Sequence, residues 1–210
     1  VKPRLLVGCE RSGVVREAFR RRGWDAWSCD LAAAEDGSPH HHQCDVFLAL
    51  RERGPWDLFI FHPECTYLCS SGLHWNKRVP GRAKLTEEAT EFAVRGWREG
   101  PAKMVMENPI GRLGPVMYER FGVRPQIIQP HQFGHDASKA TCLWTRGVPL
   151  LQPTQHVAPR IANGKKRWAN QTDSGQNRLG PSDERWMERS RTYEGIAQAM
   201  AIQYDDYESI

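Results

Sequence analysis

Short apolar runs alternate with amphipathic stretches along the first two-thirds of the chain. Arg4-Leu5-Leu6-Val7-Gly8 reads as a buried strand. Ser12 then caps a helix that places Val14, Val15, Ala18 and Phe19 on one face and stops at Gly23. Residues 25–31 predict a second strand ending at Asp30, residues 46–53 a short helix, and Asp57-Leu58-Phe59-Ile60-Phe61 a continuous apolar strand. Thr86, with Glu87 and Glu88, opens a helix running to Gly100. Lys103-Met104-Val105-Met106 is the next strand and leads straight into Glu107. This alternation predicts an α/β fold: a doubly wound, mostly parallel sheet with crossover helices.

The pattern then changes. Gln126-Ile127-Ile128 and Thr141-Cys142-Leu143-Trp144 read as strands around a connection rich in Gly and His. Residues 152–181 are rich in Pro, Gly, Asn, Gln and basic side chains, as either an ordered substrate-contacting loop or a flexible excursion. Residues 193–204 predict a closing helix with Ile196, Met200, Gln203 and Tyr204 inward. The expected organisation is a core over 1–151, a reduced loop segment over 152–188 and a closing helix over 189–210.

Composition narrows the class. A chain of 210 residues with 40% apolar content fills one domain core and is not wholly disordered. No apolar run reaches the ~18–20 residues of a membrane span, and Val1-Lys2-Pro3-Arg4 lacks the apolar stretch of a secretory signal. The six cysteines are scattered and contain no Cys-x-x-Cys pair; their even number would permit disulfides, but the size and the missing signal favour a reducing cytoplasm. His40-His41-His42 beside Cys44 has no second ligand pair for zinc, so a solvated loop is expected there and no metal. The formal charge of +4 is too small to identify a nucleic-acid partner alone.

In doubly wound sheets ligands bind outside the carboxyl ends of the strands. Gly8-Cys9-Glu10-Arg11-Ser12-Gly13 turns directly from strand to helix, where glycines let backbone approach a ligand. It is neither a Gly-x-Gly-x-x-Gly turn nor a Walker loop, which disfavours a nucleoside triphosphatase. Asp30 ends the next strand about 20 residues on, the place of a ribose-binding acid. Cys65, after His62-Pro63-Glu64 at a strand mouth, is a candidate nucleophile, its rival reading being an inert thiol. Glu107-Asn108-Pro109 leaves the neighbouring strand in the same direction, so an acid and a thiol meet at matching strand ends.

Pro63-Glu64-Cys65 followed by Glu107-Asn108, downstream of a glycine turn and an acidic strand end, resembles the DNA cytosine carbon-5 methyltransferases, in particular their small phage and prophage members. The resemblance implies that S-adenosyl-L-methionine lies across Gly8, Cys9, Glu10, Arg11, Ser12 and Gly13, with Asp30 at its ribose, Asp45 near its adenine and Pro63 beside it. It implies that Cys65 adds to carbon-6 of a cytosine while Glu107 protonates ring nitrogen-3, that Asn108 positions Glu107, and that residues 189–201 pack back on the cofactor site.

Three features depart from the family. Glu64 replaces the usual second proline and puts a carboxylate beside the nucleophile. The usual arginine element is replaced by residues 129–135 and Lys139, and only residues 152–188 remain for target recognition.

A DNA partner is expected, with Lys165, Lys166 and Arg167 foremost, together with Arg160, Arg178, Arg185, Arg189 and Arg191 for phosphates and Trp168 and Trp186 for stacking. The alternative is a solvated surface with core tryptophans. Rival functions are methylation of a free cytosine nucleotide and a non-catalytic nucleic-acid-binding relic. An amino-group methyltransferase is disfavoured because Ile110 follows Asn108-Pro109 where an aromatic residue belongs.

Overall fold

The computed structural model describes residues 2–179 and 191–208. Its centre is a seven-stranded sheet: β1 (Arg4–Gly8), β2 (Asp25–Asp30), β3 (His41–Gln43), β4 (Leu58–Phe61), β5 (Met104–Pro109), β6 (Gln126–Ile128) and β7 (Thr141–Arg146). They lie in the order β3-β2-β1-β4-β5-β7-β6. The first five strands are parallel, and β7 runs against both neighbours, β5 and β6. This is the doubly wound, mostly parallel sheet expected from the sequence.

Both faces of the sheet are covered, which is why its strands read as unbroken apolar runs. Leu5, Val7, Leu58, Ile60 and Val105 point to one face, where α1 (Val14–Arg21) and α6 (Glu194–Glu208) bury Val15, Phe19, Ile196, Met200 and Tyr204. Leu6, Phe59, Phe61, Met104 and Met106 point to the other. There α2 (Val46–Glu52), α4 (Arg82–Glu99) and α5 (Leu113–Phe121) bury Phe47, Leu50, Trp97, Leu113 and Met117, the single-turn α3 (Ser70–Leu73) preceding α4 in the chain. The parallel strands change crossover side between β1 and β4, so the crevice opens at the ends of those two strands.

Several local expectations are corrected. His41 and His42 of the histidine run lie not in a solvated loop but in the edge strand β3, paired through Ser28↔His41 and Cys29↔His42. Trp27 stacks on the His42 ring at 4.6 Å, and burial leads the causes that hold His42 below the usual imidazole range. Among the described residues no group of three or more His, Cys, Asp or Glu side chains is placed to hold a metal.

Helix α4 starts at Arg82 after the left-handed Gly81, and Thr86 is buried inside it, donating to the Tyr67 carbonyl at 3.2 Å. Glu107, Asn108 and Pro109 lie within β5, opposite Leu143, Cys142 and Thr141, rather than beyond it. Residues 160–167 form a hairpin of β8 (Arg160–Ala162) and β9 (Lys165–Arg167). Among the described residues, no helix is long and apolar enough to cross a membrane.

Candidate active site

The turn after β1 is shaped by its own side chains. Cys9 adopts a left-handed φ of 59°. Burial above all, then Asp30, Cys29, Asp45 and Glu64, push its thiol far above the usual range, so three carboxylates from three segments surround this point. Glu10 and Ser12 share the first turn of α1: the buried Glu10 carboxylate accepts from Val15 N at 2.7 Å and Arg16 N at 3.3 Å, and Ser12 Oγ accepts from Val14 N at 3.4 Å. Burial raises the Glu10 carboxyl despite these bonds and the nearby His62 charge.

The glycines serve packing. A Cβ on Gly8 would meet Val46 Cγ2 at 2.6 Å, and one on the left-handed Gly13 would meet the Arg16 guanidinium at 2.2 Å. That guanidinium is fully buried and bonded to Ser28 at 2.7 Å and to Asp36. The loop carrying Asp36 also lies on the turn, with Glu35 N donating to the Arg11 carbonyl at 2.9 Å. Arg11 and Arg191 both pair with the Glu35 carboxylate.

Asp30 and Asp45 stand where the sequence placed acids, and each has a local duty. One oxygen of Asp30 accepts from Ala32 N at 2.9 Å. One oxygen of Asp45 caps α2, accepting from Phe47 N at 2.9 Å and Leu48 N at 3.2 Å.

The Cys65 segment is fastened to β5 at two points. Buried Asn108 donates through Nδ2 to the Pro63 carbonyl at 2.8 Å. Cys65 opens a tight turn whose carbonyl accepts from Leu68 N and Cys69 N, both at 3.0 Å. The far side of this turn lies against Gly111: Ser70 N donates to Ile110 O at 3.0 Å, and Arg112 N to Leu68 O at 2.8 Å. A Cβ on Gly111 would stand 1.9 Å from Leu68 O, so the approach requires glycine. From α4, Arg82 donates to the Thr66 carbonyl at 3.2 Å and lies 5.0 Å from the centre of the Tyr67 ring. The six cysteines form no disulfide.

Glu107 is largely buried, its carboxylate 3.3 Å from His62 Nδ1. Burial pushes its carboxyl up, but the His62 bond and the charges of Lys139 and His62 outweigh it and hold the group below the usual carboxylate range. His62, Glu107, Lys139, Thr192 and Tyr193 line a small cavity of about 10 Å³. His62 Nε2 and Asn108 Oδ1 are buried without a protein hydrogen-bond partner. Sequence reasoning placed His62 only as a strand end, and no local signal pairs it with Glu107, 45 residues away. A larger cavity of about 160 Å³ lies elsewhere, between the start of α1, Asp36 and the start of α6.

The downstream basic segment is mostly committed to itself. Arg160 pairs with Asp173 at 2.6 Å, Arg167 donates to the Asp173 and Ser174 carbonyls, and Arg178 donates to the Gln171 carbonyl. Trp168 stacks on His131 at 4.1 Å and donates to the Val157 carbonyl, which supports its reading as a packing residue. Lys165 and Lys166 are exposed. Arg185, Trp186 and Arg189 lie outside the described residues. A second basic and aromatic surface, missed in the sequence, follows the Cys65 turn: Trp75 is 45% exposed, with Lys77, Arg78 and Lys84 exposed nearby in sequence.

No family model matches the chain, and no curated protein matches it. Among solved structures, the chain is similar to a protein described as a candidate DNA modification methyltransferase encoded within an E. coli prophage, at 13% identity and a TM-score of 0.49. That match covers 74% of this chain and 52% of the other. It is also similar to the S. pombe Dnmt2 methyltransferase, at 13% identity and a TM-score of 0.44, over 70% of this chain and 50% of the other. A triple mutant of Spodoptera frugiperda DNMT2 matches at 12% identity and a TM-score of 0.44, over 79% and 57%. The chain thus spans about half the length of the solved structures it matches.

Proposed function

We propose that the chain methylates carbon-5 of cytosine in DNA with S-adenosyl-L-methionine, through a covalent adduct of Cys65 and with Glu107 at ring nitrogen-3. The observation that carries this reading is the double fastening of the Cys65 turn to β5. The Asn108 bond and the Gly111 approach tie the segment that carries Cys65 to the strand that carries Glu107. Simple surface turns do not need a buried amide and an obligatory glycine to hold them together.

The donor set suits the cofactor. Its cationic sulfonium and ribose diol call for carboxylates, and Asp30, Asp45 and Glu64 surround the Cys9 turn. When bound, the cofactor supplies an electrophilic methyl group. Asp30 would hold the ribose, Asp45 would lie near the adenine, and the backbone of residues 8–13 would form the floor.

The chain's own residues do the rest. Cys65 adds to carbon-6 of the cytosine, Glu107 protonates nitrogen-3, and carbon-5 becomes nucleophilic. Asn108 and Pro63 set the direction of the thiol, and Lys139 adds positive charge beside Glu107. A base then removes the carbon-5 proton and Cys65 leaves. The target is flipped from a duplex or taken from a single strand. Lys165, Lys166 and the exposed Lys77, Arg78 and Lys84 supply phosphate contacts. Residues 1–151 form the catalytic core, 152–188 a reduced recognition segment and 189–210 the closing helix. Cytoplasmic action keeps the thiol reduced.

A second reading, methylation of a free cytosine nucleotide, is favoured by the internal commitment of Arg160, Arg167 and Arg178. One experiment separates the readings. The protein is incubated with S-adenosylmethionine and either an oligonucleotide or a nucleotide carrying 5-fluorocytosine, whose fluorine cannot leave as a proton. Trapping of DNA by wild type but not by Cys65→Ala is expected. Trapping of the nucleotide alone replaces the polymer substrate. No trapping, with no cofactor binding in a parallel titration, points to a relic of the fold.

A further inference from the structure

Glu107 has a chemical problem that its surroundings reveal. An ionised carboxylate only accepts hydrogen bonds, so it must carry a proton to donate one to a ring nitrogen. A carboxyl in an apolar pocket keeps that proton because burial disfavours the charge. Here the neighbouring positive groups reverse the effect of burial and leave the carboxyl ionised near neutral pH. The proton has to come from an adjoining group.

The sheet register identifies that group. Parallel pairing of Phe61 with Met106 places the next two residues, His62 and Glu107, side by side at the crevice end of β4 and β5. His62 lies on the same face as Leu58 and Ile60, as Glu107 does with Val105. Nδ1 reaches the Glu107 carboxylate at 3.3 Å, and the imidazole is only 11% exposed. The remaining titratable groups around it are Glu10 at the end of β1, whose charge is coupled to His62, and Lys139 and Tyr193, which line the same cavity. Thr141, Thr192, Leu143, Ile196 and Met200 complete the lining. Imidazole is the side chain in this set that gives and regains a proton near neutral pH.

We propose that His62 acts through Glu107 as its positioning residue and proton reservoir, so that the pair, rather than the carboxyl alone, protonates the pyrimidine. This rests on the methyl-transfer reading. As the Cys65 sulfur bonds to carbon-6, the carbon-5–carbon-6 electron pair shifts into the ring and nitrogen-3 takes a proton through Glu107. His62 Nδ1–H passes its own proton to the carboxylate, so the imidazolium becomes neutral and Glu107 ends as it began. When the carbon-5 proton has gone and the sulfur–carbon bond breaks, the nitrogen-3 proton returns by the same route. The charges balance and no further reactant is needed. His62 and Lys139 together take the place of the family's missing arginine element, with His62 adding a proton that a guanidinium cannot give up.

The test measures the rate of covalent trapping on a 5-fluorocytosine oligonucleotide between pH 5.5 and 9, for wild type and His62→Gln. Cofactor affinity and circular dichroism of both proteins are measured alongside. The expected result is a loss of about a hundredfold in trapping near pH 7.5 for His62→Gln, the scale of general acid catalysis. Its rate should climb steadily towards acid, where Glu107 takes its proton directly, with cofactor affinity unchanged. If wild type traps DNA and the variant matches it in rate and pH profile, His62 has no such role. If wild type traps nothing, the methyl-transfer reading falls and takes the proposal with it. A second measurement needs no turnover and no His62 variant: nitrogen NMR of the His62 ring in wild type and Glu107→Gln. Loss of the carboxylate should change the Nδ1 signal, which reports the bond to Glu107, and an Nδ1 signal identical in the two proteins overturns the pairing.

Discussion

Replacing Gly111 by alanine tests the link between the Cys65 turn and β5 most directly. The added Cβ would lie 1.9 Å from Leu68 O and 2.8 Å from Ser70 N. Both are backbone atoms, so no rotamer change relieves the overlap and the two segments must separate. Separation breaks the Ser70–Ile110 and Arg112–Leu68 bonds. At about 1 kcal/mol for each bond, together with the strain of overpacking, the loss should be on the order of 2–4 kcal/mol. Gly81→Ala is the comparison. Gly81 has a φ of +79° and no atom near its missing Cβ, so only backbone strain of about 1 kcal/mol applies. Urea unfolding followed by tryptophan fluorescence measures both. Gly111→Ala should also slow 5-fluorocytosine trapping under conditions where it is fully folded, because the displaced residues 68–70 continue the turn opened by Cys65. Truncating Leu68 should not rescue it, since the obstruction is a carbonyl. A Gly111→Ala variant within about 0.5 kcal/mol of wild type, or less damaged than Gly81→Ala, would refute the close approach.

Glu10 and Glu107 should give opposite pH slopes of stability. Glu10 is raised in the folded state, so its contribution is present below the ordinary carboxylate pKa and lost as pH rises through the folded value; Glu10→Gln therefore gains on wild type with rising pH. Glu107 is lowered, so its contribution is present above the ordinary pKa and lost as pH falls through the folded value; Glu107→Gln loses ground above that window. Chemical unfolding at pH 3.5 to 7 reads both. In the basic segment, Lys165→Ala and Lys166→Ala should each flatten the salt dependence of DNA binding by about one counterion. Arg167→Ala should instead increase protease cutting within residues 160–175, because its guanidinium holds the Asp173 and Ser174 carbonyls. Iodoacetamide at pH 8, read by mass spectrometry, should spare Cys142, whose thiol burial and Glu107 push up to about 11, and the still higher Cys9 and Cys29. Rapid labelling of these three in the folded protein would contradict their raised thiols.

The sheet was legible because each buried strand is a short apolar run bounded by a turn, and periodicity marks such runs well. The places of Glu107 and Asn108 towards the end of one apolar strand, and of Cys65 shortly after another, were legible for the same reason, since a strand end is a one-dimensional feature. The roles of neighbours across the sheet were not. His62 acquires its meaning from Glu107, 45 residues away, and nothing in the local sequence announces that register. The capping of α1 was legible only in part: Ser12 accepts from Val14 N as the local pattern suggests, whereas Glu10 reaches forward to Val15 and Arg16 because the left-handed Cys9 and Gly13 fold the turn back. The basic tail misled in a third way. Composition counts guanidinium groups, but it does not show that Arg160, Arg167 and Arg178 hold their own loop.

The contact between α1 and α6 has a temporal consequence. Arg22 and Trp24 both bond to Asp205, across 183 and 181 residues of sequence, and the same helix covers Leu5, Val7 and Phe19. At a synthesis rate of roughly 5–20 residues per second, the first strand and helix wait roughly ten to forty seconds for the segment that covers them. During that interval the turn after β1 sits beside an open apolar surface, and its Arg191–Glu35 clasp does not yet exist. The site nearest the start of the chain is therefore among the last parts to mature. Folding of the newborn protein should depend on whatever shields that surface before residue 205 emerges.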